Sequence, residues 1–211
     1  MRVAVVNEVS AAMRNSDLIA ALNKQKNLTV FNLGMQSIEE ENPLSYIQTG
    51  IMSAILLNGK ICDMVIGGCG TGQGYLNAVL QFPGVSCGLI QDPLDAWLFS
   101  QINGGNCVSL ALHKGYGWAA NINLDYMFEK LFKDEPGAGY PPERQEPQGK
   151  NRVILKELSI LAHKPFLEIL KGIDAKLLKT IGKRTDFMEV LRQEAMGKPD
   201  VKAVFDYLNG I

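Results

Sequence analysis

The sequence predicts an α/β fold in three layers, a five-stranded parallel sheet with helices on both faces, followed by a helical C-terminal extension. Three observations predict it. Short apolar runs, suited to strands covered on both faces, alternate with helix-length segments as right-handed βαβ units do. One of these runs ends in a glycine loop that leads straight into a helical segment, Val65-Ile66-Gly67-Gly68-Cys69-Gly70-Thr71-Gly72-Gln73-Gly74. The composition then changes at Glu135, where Pro136-Gly137-Ala138-Gly139-Tyr140-Pro141-Pro142 excludes any regular element and polar residues follow up to Arg152. The arrangement is Rossmann-like over residues 1–152, and residues 153–211 form the extension.

Taken in order, Val3 to Val6 reads as the first strand, with Asn7 and Glu8 at its C-terminal end. Ser16 suits the cap of a helix through Leu22, and Leu28 to Leu33 is the second strand, closed by Gly34. Leu44 to Leu57 carries apolar residues at helical spacing and ends at Asn58-Gly59, a C-cap signal. Asp63 to Gly67 is the third strand, and the helix after the glycine loop stops at Phe82-Pro83-Gly84. Val85 to Ile90 is the fourth strand. Pro93 can open a helix from Leu94 to Gln101, Asn103-Gly104-Gly105-Asn106 is a tight turn, Cys107 to Leu112 is the fifth strand, and Gly117 to Lys133 is a long helix. From Val153 the chain reads as helices broken at Lys164-Pro165, Gly172, Gly182 and Gly197-Lys198-Pro199, too apolar for a free tail.

Hydrophobic residues at 46% and charged residues at 20% are ordinary for a soluble domain. A net charge of −1 supports neither a nucleic-acid face nor a basic membrane patch, and no apolar run approaches the ~20 residues of a spanning helix. The four cysteines (Cys62, Cys69, Cys87, Cys107) form no CxxC pair and the chain has only two histidines, which argues against a zinc site and a disulfide framework. Free thiols without an export signal lead to the expectation of a cytoplasmic protein.

The glycine loop is the candidate site. Its glycines let backbone N–H groups converge, and a helix start beyond such a loop favours anionic oxygens. Cys69 and Thr71 place a thiol and a hydroxyl among those amides. Ligands of parallel sheets bind beyond the C-terminal strand ends, where Glu8, the loop, Gln91-Asp92 and the turn after Gln101 are expected to meet. The dinucleotide fingerprint G-x-G-x-x-G fails in every register, since its last position falls on Gln73, Tyr75 or Asn77, and no Gly-Lys-Ser/Thr follows for a phosphate-binding P-loop. No cofactor is expected.

Gly68-Cys69-Gly70-Thr71-Gly72-Gln73-Gly74, then Asn77-Ala78, then Phe82-Pro83-Gly84-Val85 resembles the family of type B ribose-5-phosphate isomerase and galactose-6-phosphate isomerase. The similarity extends to Arg2-Val3-Ala4-Val5 and Asn103-Gly104-Gly105-Asn106 and covers residues 1 to about 152. It implies an aldose–ketose isomerase for a sugar phosphate, without metal, working through an enediolate as a homodimer or higher homo-oligomer with the site between subunits. By resemblance Cys69 is the base that moves a proton between C1 and C2. Thr71 supports the enediolate, and Gly70, Gly72, Gln73, Gly74, Asn103 and Arg152 bind substrate, with Arg152 on the phosphate. The apolar helix from Leu94 and the long helix from Gly117 are candidate subunit contacts.

The chain also departs from the family pattern. Where the family's first strand ends in Asp-His, this one has Glu8-Val9, which keeps a carboxylate and loses an imidazole. The family histidine that assists ring opening aligns with Ile102, its asparagine-lysine pair after the loop with Leu80-Gln81, its second phosphate arginine with Arg152, and its first with Arg144 or, as a substitute, Lys150. His113 and His163 fall at neither histidine position and read as structural or exposed, as do Trp97, Tyr46 and Trp118 as core aromatics rather than pocket walls. Three readings stay open: a sugar-phosphate isomerase, a binding homologue that has lost catalysis, and an isomerase or epimerase of an unphosphorylated sugar or sugar acid. The missing ring-opening histidine predicts a substrate that is open-chain in a substantial fraction or one opened by a different residue, with weak activity on ribose-5-phosphate and galactose-6-phosphate in either case.

Overall fold

Along the first strand, alternate apolar side chains serve two cores. A computed structural model describes all 211 residues. In it β1 (Arg2–Asn7) sends Ala4 and Val6 to one face of the sheet and Val3 and Val5 to the other. It pairs with β2 (Thr29–Asn32) and β3 (Met64–Cys69). Beyond β3 lie β5 (Cys107–Ala111) and then β4 (Cys87–Ile90), giving the all-parallel order β2-β1-β3-β5-β4. One face is covered by α1 (Asn15–Asn23), α4 (Pro93–Leu98) and α5 (Ala120–Leu131), the other by α2 (Tyr46–Asn58) and α3 (Gln73–Val79). The chain leaves β1 in opposite directions toward β2 and β3, so the ends of β1 and β3 flank the switch point where such sheets bind ligands.

The structure moves several boundaries. β3 does not stop at Gly67 but runs to Cys69, because Gly67, Gly68 and Cys69 pair with Ser109, Leu110 and Ala111 of β5. A short 3₁₀ helix, Val9–Arg14, joins β1 to α1. The helix expected over 94–101 starts at Pro93 under an Asp92 cap that accepts the Asp95 N–H (2.9 Å), and widens to a π turn at Phe99–Asn103. The polar stretch before Arg152 is helical: α6 (Gln145–Ala162) takes Pro147 into its first turn, where a missing N–H costs no helix bond, and it crosses residue 152 unbroken.

The C-terminal helices α7 (Phe166–Gly172), α8 (Ala175–Gly182), α9 (Thr185–Ala195) and α10 (Pro199–Asn209) do not stand apart. Leu170, Leu178, Ile181, Phe187, Leu191, Val201, Val204 and Leu208 are buried in the same core as α2. With the sheet below and these helices above, α2 is buried at every position from Gln48 to Leu57, which is why its apolar residues go all the way round. By contrast α6 buries none of its residues, and Val153, Ile154, Leu155, Leu158, Ile160 and Leu161 are each at least half exposed. No helix is long and apolar enough to cross a membrane.

One buried guanidinium ties the C-terminal helices to the loop after β2. Arg184, 8% exposed, donates to the Gly34 carbonyl (3.0 Å) and to the Glu40 carboxylate. Glu40 also accepts the N–H groups of Gln36 and Ser37, and Lys183 Nζ donates to Asn42 (3.0 Å). Burial alone would raise the Glu40 carboxyl, but the bonds from Arg184, Gln36 and Ser37 together outweigh it and hold the group below its usual range. A carboxylate lowered by folding stabilises above its unfolded titration, and that contribution is lost as pH falls through the folded one. Arg184→Met, which strands Glu40 and Gly34, should cost about 3 kcal/mol in urea unfolding at neutral pH. It should also flatten the loss of stability on acidification below about pH 4.3. An unchanged midpoint and acid profile would remove the clamp from the account.

Candidate active site

The glycine loop is shaped by what lies beneath it. The ring of Tyr75 rests on bare Gly67: a Cβ there would stand 2.0 Å from the ring. Tyr75 is fully buried, with its hydroxyl 2.7 Å from Ser53 Oγ and 3.4 Å from Cys107 Sγ. Gly72 turns the chain into α3 with φ at 76°, a left-handed conformation in which any side chain would also meet Leu89 at 2.6 Å. Its carbonyl is held by Ser109 Oγ (2.6 Å) and the Leu76 N–H (3.1 Å).

These constraints fix the predicted residues. Cys69 ends β3, 6% exposed, and its carbonyl accepts the Leu112 N–H (3.0 Å). The Gly70 carbonyl accepts two amides from beyond β5, His113 (3.0 Å) and Lys114 (2.8 Å), and the Gly70 N–H donates to Ser10 Oγ (3.1 Å). Thr71 is exposed at the crest, its hydroxyl accepting the Gln73 N–H (3.4 Å), and Gln73 is exposed beside it. A Cβ on Gly74 would lie 3.1 Å from the Tyr46 ring, so of the three aromatics considered Tyr46 borders the loop. Trp97 stacks edge-on against Tyr140 and donates to Asp134 (2.8 Å), while Trp118 is fully exposed.

Glu8 stands at the neighbouring end of β1, 6% exposed, its N–H donating to Gly68 O (3.3 Å). Its carboxylate accepts both the N–H (3.0 Å) and the hydroxyl of Ser10, so Ser10 links Glu8 to the loop amide of Gly70. On either side of Glu8, Asn7 Nδ2 donates to Met35 O (2.8 Å) and the Val9 N–H to Leu44 O (2.9 Å). The loop gripped by Arg184 thus borders this end of the site.

Asn103 and Arg152 are not brought to the loop within one chain. Asn103 precedes the start of β5, in a turn whose Asn106 bonds Gly84 (2.8 Å) and Ser86 (2.8 Å) before β4. In a parallel sheet that is the opposite edge, roughly 17 Å from the loop at about 3.3 Å per strand residue. Arg152 is there too, donating to the carbonyls of Ile102 (3.0 Å) and Gly137 (2.5 Å).

Two residues at the loop were not among the predicted site residues. Ser10 carries a faint signal, a small hydroxyl two residues after the strand-end carboxylate. His113, read as structural or exposed, is exposed yet stands beside Gly70: a Cβ built on Gly70 would be 3.8 Å from His113 Nδ1 and 3.4 Å from Ser10 Oγ. Its position directly after Leu112, two residues beyond β5 at a C-terminal strand end, was the available clue. A cleft of about 260 Å³ opens next to it, with Gln91, Lys114, Tyr116 and Asn123 in its walls. A second cleft of about 280 Å³ lies between α2, α7 and α10, away from the strand ends.

The other thiols are placed differently. Burial pushes Cys62 up to about 12. A hydrogen bond with Cys107, and then burial, raise Cys87 well above the usual thiol range. No group of three or more His, Cys, Asp or Glu is placed to hold a metal ion.

Comparisons with known proteins agree with this architecture. The model of the Ribose/Galactose Isomerase family matches residues 3–132. The crystal structure of a 4-deoxy-L-threo-5-hexosulose-uronate ketol-isomerase, complexed with a tartrate, is 42% identical with a TM-score of 0.93 over 100% of both chains. A ribose-5-phosphate isomerase from Vibrio parahaemolyticus is 41% identical, TM-score 0.92, over 99% of each chain. The type B ribose 5-phosphate isomerase from Trypanosoma cruzi is 19% identical with a TM-score of 0.60, and covers 77% of this chain and 100% of its own, a likeness of fold. No curated protein sequence matches significantly.

The close seat of Tyr75 yields a direct expectation. Gly67→Ala should lower unfolding stability by about 1–3 kcal/mol, the cost of overpacking a filled core. Gly117→Ala, where an added Cβ meets nothing within 4 Å, should change it by less than about 0.5 kcal/mol. Equal midpoints for the two variants in urea would show that the ring does not fix the loop.

Proposed function

The chain belongs to the Ribose/Galactose Isomerase family and is an isomerase, and we propose that it is a ketol-isomerase of an open-chain uronate, with Cys69 as the base. The observation that carries this reading is the end-to-end match, C-terminal helices included, to a 4-deoxy-L-threo-5-hexosulose-uronate ketol-isomerase. Such a substrate bears an aldehyde at C1, a ketone at C5 and a carboxylate at C6. Lacking hydroxyls at C4 and C5, it cannot close the usual five- or six-membered ring onto C1, so no ring-opening histidine is needed. Ile102, where the family pattern has that histidine, fits this chemistry. Arg152 fits it too, because its guanidinium is occupied by two backbone carbonyls rather than free for a phosphate.

In the proposed reaction the Cys69 thiolate takes the proton from C2, the C2–H electron pair forms the C1–C2 double bond, and the aldehyde oxygen takes the charge of the enediolate. The thiol then returns the proton to C1 as the O2 hydroxyl gives up its proton and O1 gains one, leaving a ketone at C2 and a hydroxyl at C1. Amides of the loop and the Thr71 hydroxyl are the donors for the developing oxyanion. Glu8, with its Ser10 bonds, orders the loop's first amide. The four free cysteines suit a reducing cytoplasm.

A second reading is isomerisation of a sugar phosphate, favoured by the 41% identical Vibrio parahaemolyticus protein. Both readings call for a second copy of the chain. An 18-residue helix that buries nothing and exposes six large apolar side chains is a face awaiting a partner, and a two-fold axis would serve both copies with it. A partner also gives Asn103, on the far edge of the sheet, a route to a glycine loop.

Turnover of 4-deoxy-L-threo-5-hexosulose-uronate should exceed that of ribose-5-phosphate by at least ~100-fold in kcat/KM, with kcat near the ~10 s⁻¹ usual for enzymes. Cys69→Ala should lose ~10³-fold or more while melting like the wild type, and Thr71→Val ~10²-fold. The reverse substrate preference would select the sugar phosphate, and binding without turnover a homologue without catalysis. Light scattering at micromolar concentration should give a dimer, and Leu158→Glu with Leu161→Glu should give monomers; a monomeric wild type would contradict the shared site.

A further inference from the structure

An isomerisation through an enediolate moves two protons, one between carbons and one between oxygens. A single cysteine serves the first. The second needs a group that gives a proton to O1 and takes one from O2. Strand one ends in Glu8-Val9 and position 102 is isoleucine, so neither place offers an imidazole. Of the chain's two histidines, His163 closes α6, its Nδ1 2.8 Å from Ser159 O. The other is at the loop. Three successive amides just beyond β5, those of Leu112, His113 and Lys114, donate to the carbonyls of Cys69 and Gly70 and so fix the His113 backbone against the end of β3. Its ring stands beside Gly70, as Ser10 does, with both within van der Waals reach of the space a side chain at Gly70 would fill, and it is exposed to solvent, its chain neighbours Leu112 and Lys114 lining the adjoining cleft.

We propose that His113 is the second acid–base group of the isomerisation, carrying the proton between the two substrate oxygens while Cys69 carries the one between the two carbons. This rests on the enediolate reading above. As the thiolate removes the C2 proton and the C1=O π pair moves to O1, the imidazolium of His113 gives its proton to O1. The neutral imidazole then takes the O2 proton as the C2=O bond forms and the thiol protonates C1. Thiolate and imidazolium are both restored, so no other reactant is required. The titratable groups around the ring are Glu8 at the end of β1 through Ser10, Cys69 at the end of β3, Lys114 next in the chain, and Tyr116 with Arg14 over its ring at 4.5 Å.

His113→Gln and His113→Asn keep a polar, exposed side chain that cannot shuttle a proton. Measured on 4-deoxy-L-threo-5-hexosulose-uronate, both should lower kcat by ~10²-fold or more. KM should stay within about threefold of wild type, the melting temperature should not move, and one ionisation should vanish from the pH profile of kcat. A variant whose kcat lies within about threefold of wild type, with the same pH profile, overturns the proposal; if Cys69→Ala is inactive in the same assay, the enediolate reading survives that result. A wild type that prefers ribose-5-phosphate changes the substrate assignment alone, and the same two criteria for His113 are then read on that sugar.

Discussion

The contact on which the site depends is a tyrosine ring lying where a side chain should be. Tyr75 reaches back from the first turn of α3 and covers the bare backbone of Gly67, its hydroxyl anchored between Ser53 of α2 and Cys107 of β5. Strand, helix and neighbouring strand are thereby locked at one point. The seven residues between Gly67 and Tyr75 must reverse direction, and they do so through Gly72 in a left-handed conformation that other residues rarely adopt. What remains above the lock is Cys69 at the strand's last position and a run of backbone amides beyond it. The chemistry proposed for the loop is a consequence of how it is held from below.

The same logic extends outward. The sheet's first core would leave the outer side of α2 bare, and the C-terminal helices cover it with Leu170, Phe187, Leu191 and Val204. Their grip does not end in apolar packing. Arg184 reaches the loop after β2, which borders Asn7 and Val9 on either side of Glu8. The extension is therefore continuous with the end of the sheet that carries the glycine loop, in keeping with relatives that match the chain from end to end.

The fold was largely legible because buried strands announce themselves: Val3 to Val6 and Cys107 to Leu112 are apolar on both faces. Glycine misled at the end of β3, where Gly67 and Gly68 look like a loop yet pair with β5 through backbone bonds that need no side chain. Pro147 and Gly149 hid the start of α6, since a proline in a first turn is tolerated where one further in is not. At the site, Cys69, Thr71 and Glu8 could be placed because each sits at a strand end or in the loop itself. Asn103 and Arg152 could not, because which edge of a sheet a turn occupies follows from strand direction and not from the turn's composition. His113 was passed over for being a lone histidine near the surface, and its proximity to Gly70 arises from the β3–β5 register, a long-range fact absent from local pattern.

In the proposed reaction a proton, not a hydride, moves between neighbouring carbons by way of Cys69. The most direct test is to run the isomerisation of 4-deoxy-L-threo-5-hexosulose-uronate in heavy water and locate deuterium in the product by NMR. The account predicts deuterium at C1, the carbon that receives the proton, and no such labelling with Cys69→Ala. Product formed at full rate with only the original hydrogen at C1 under every condition, including slow turnover at low temperature, would mean direct transfer between the carbons and would contradict it.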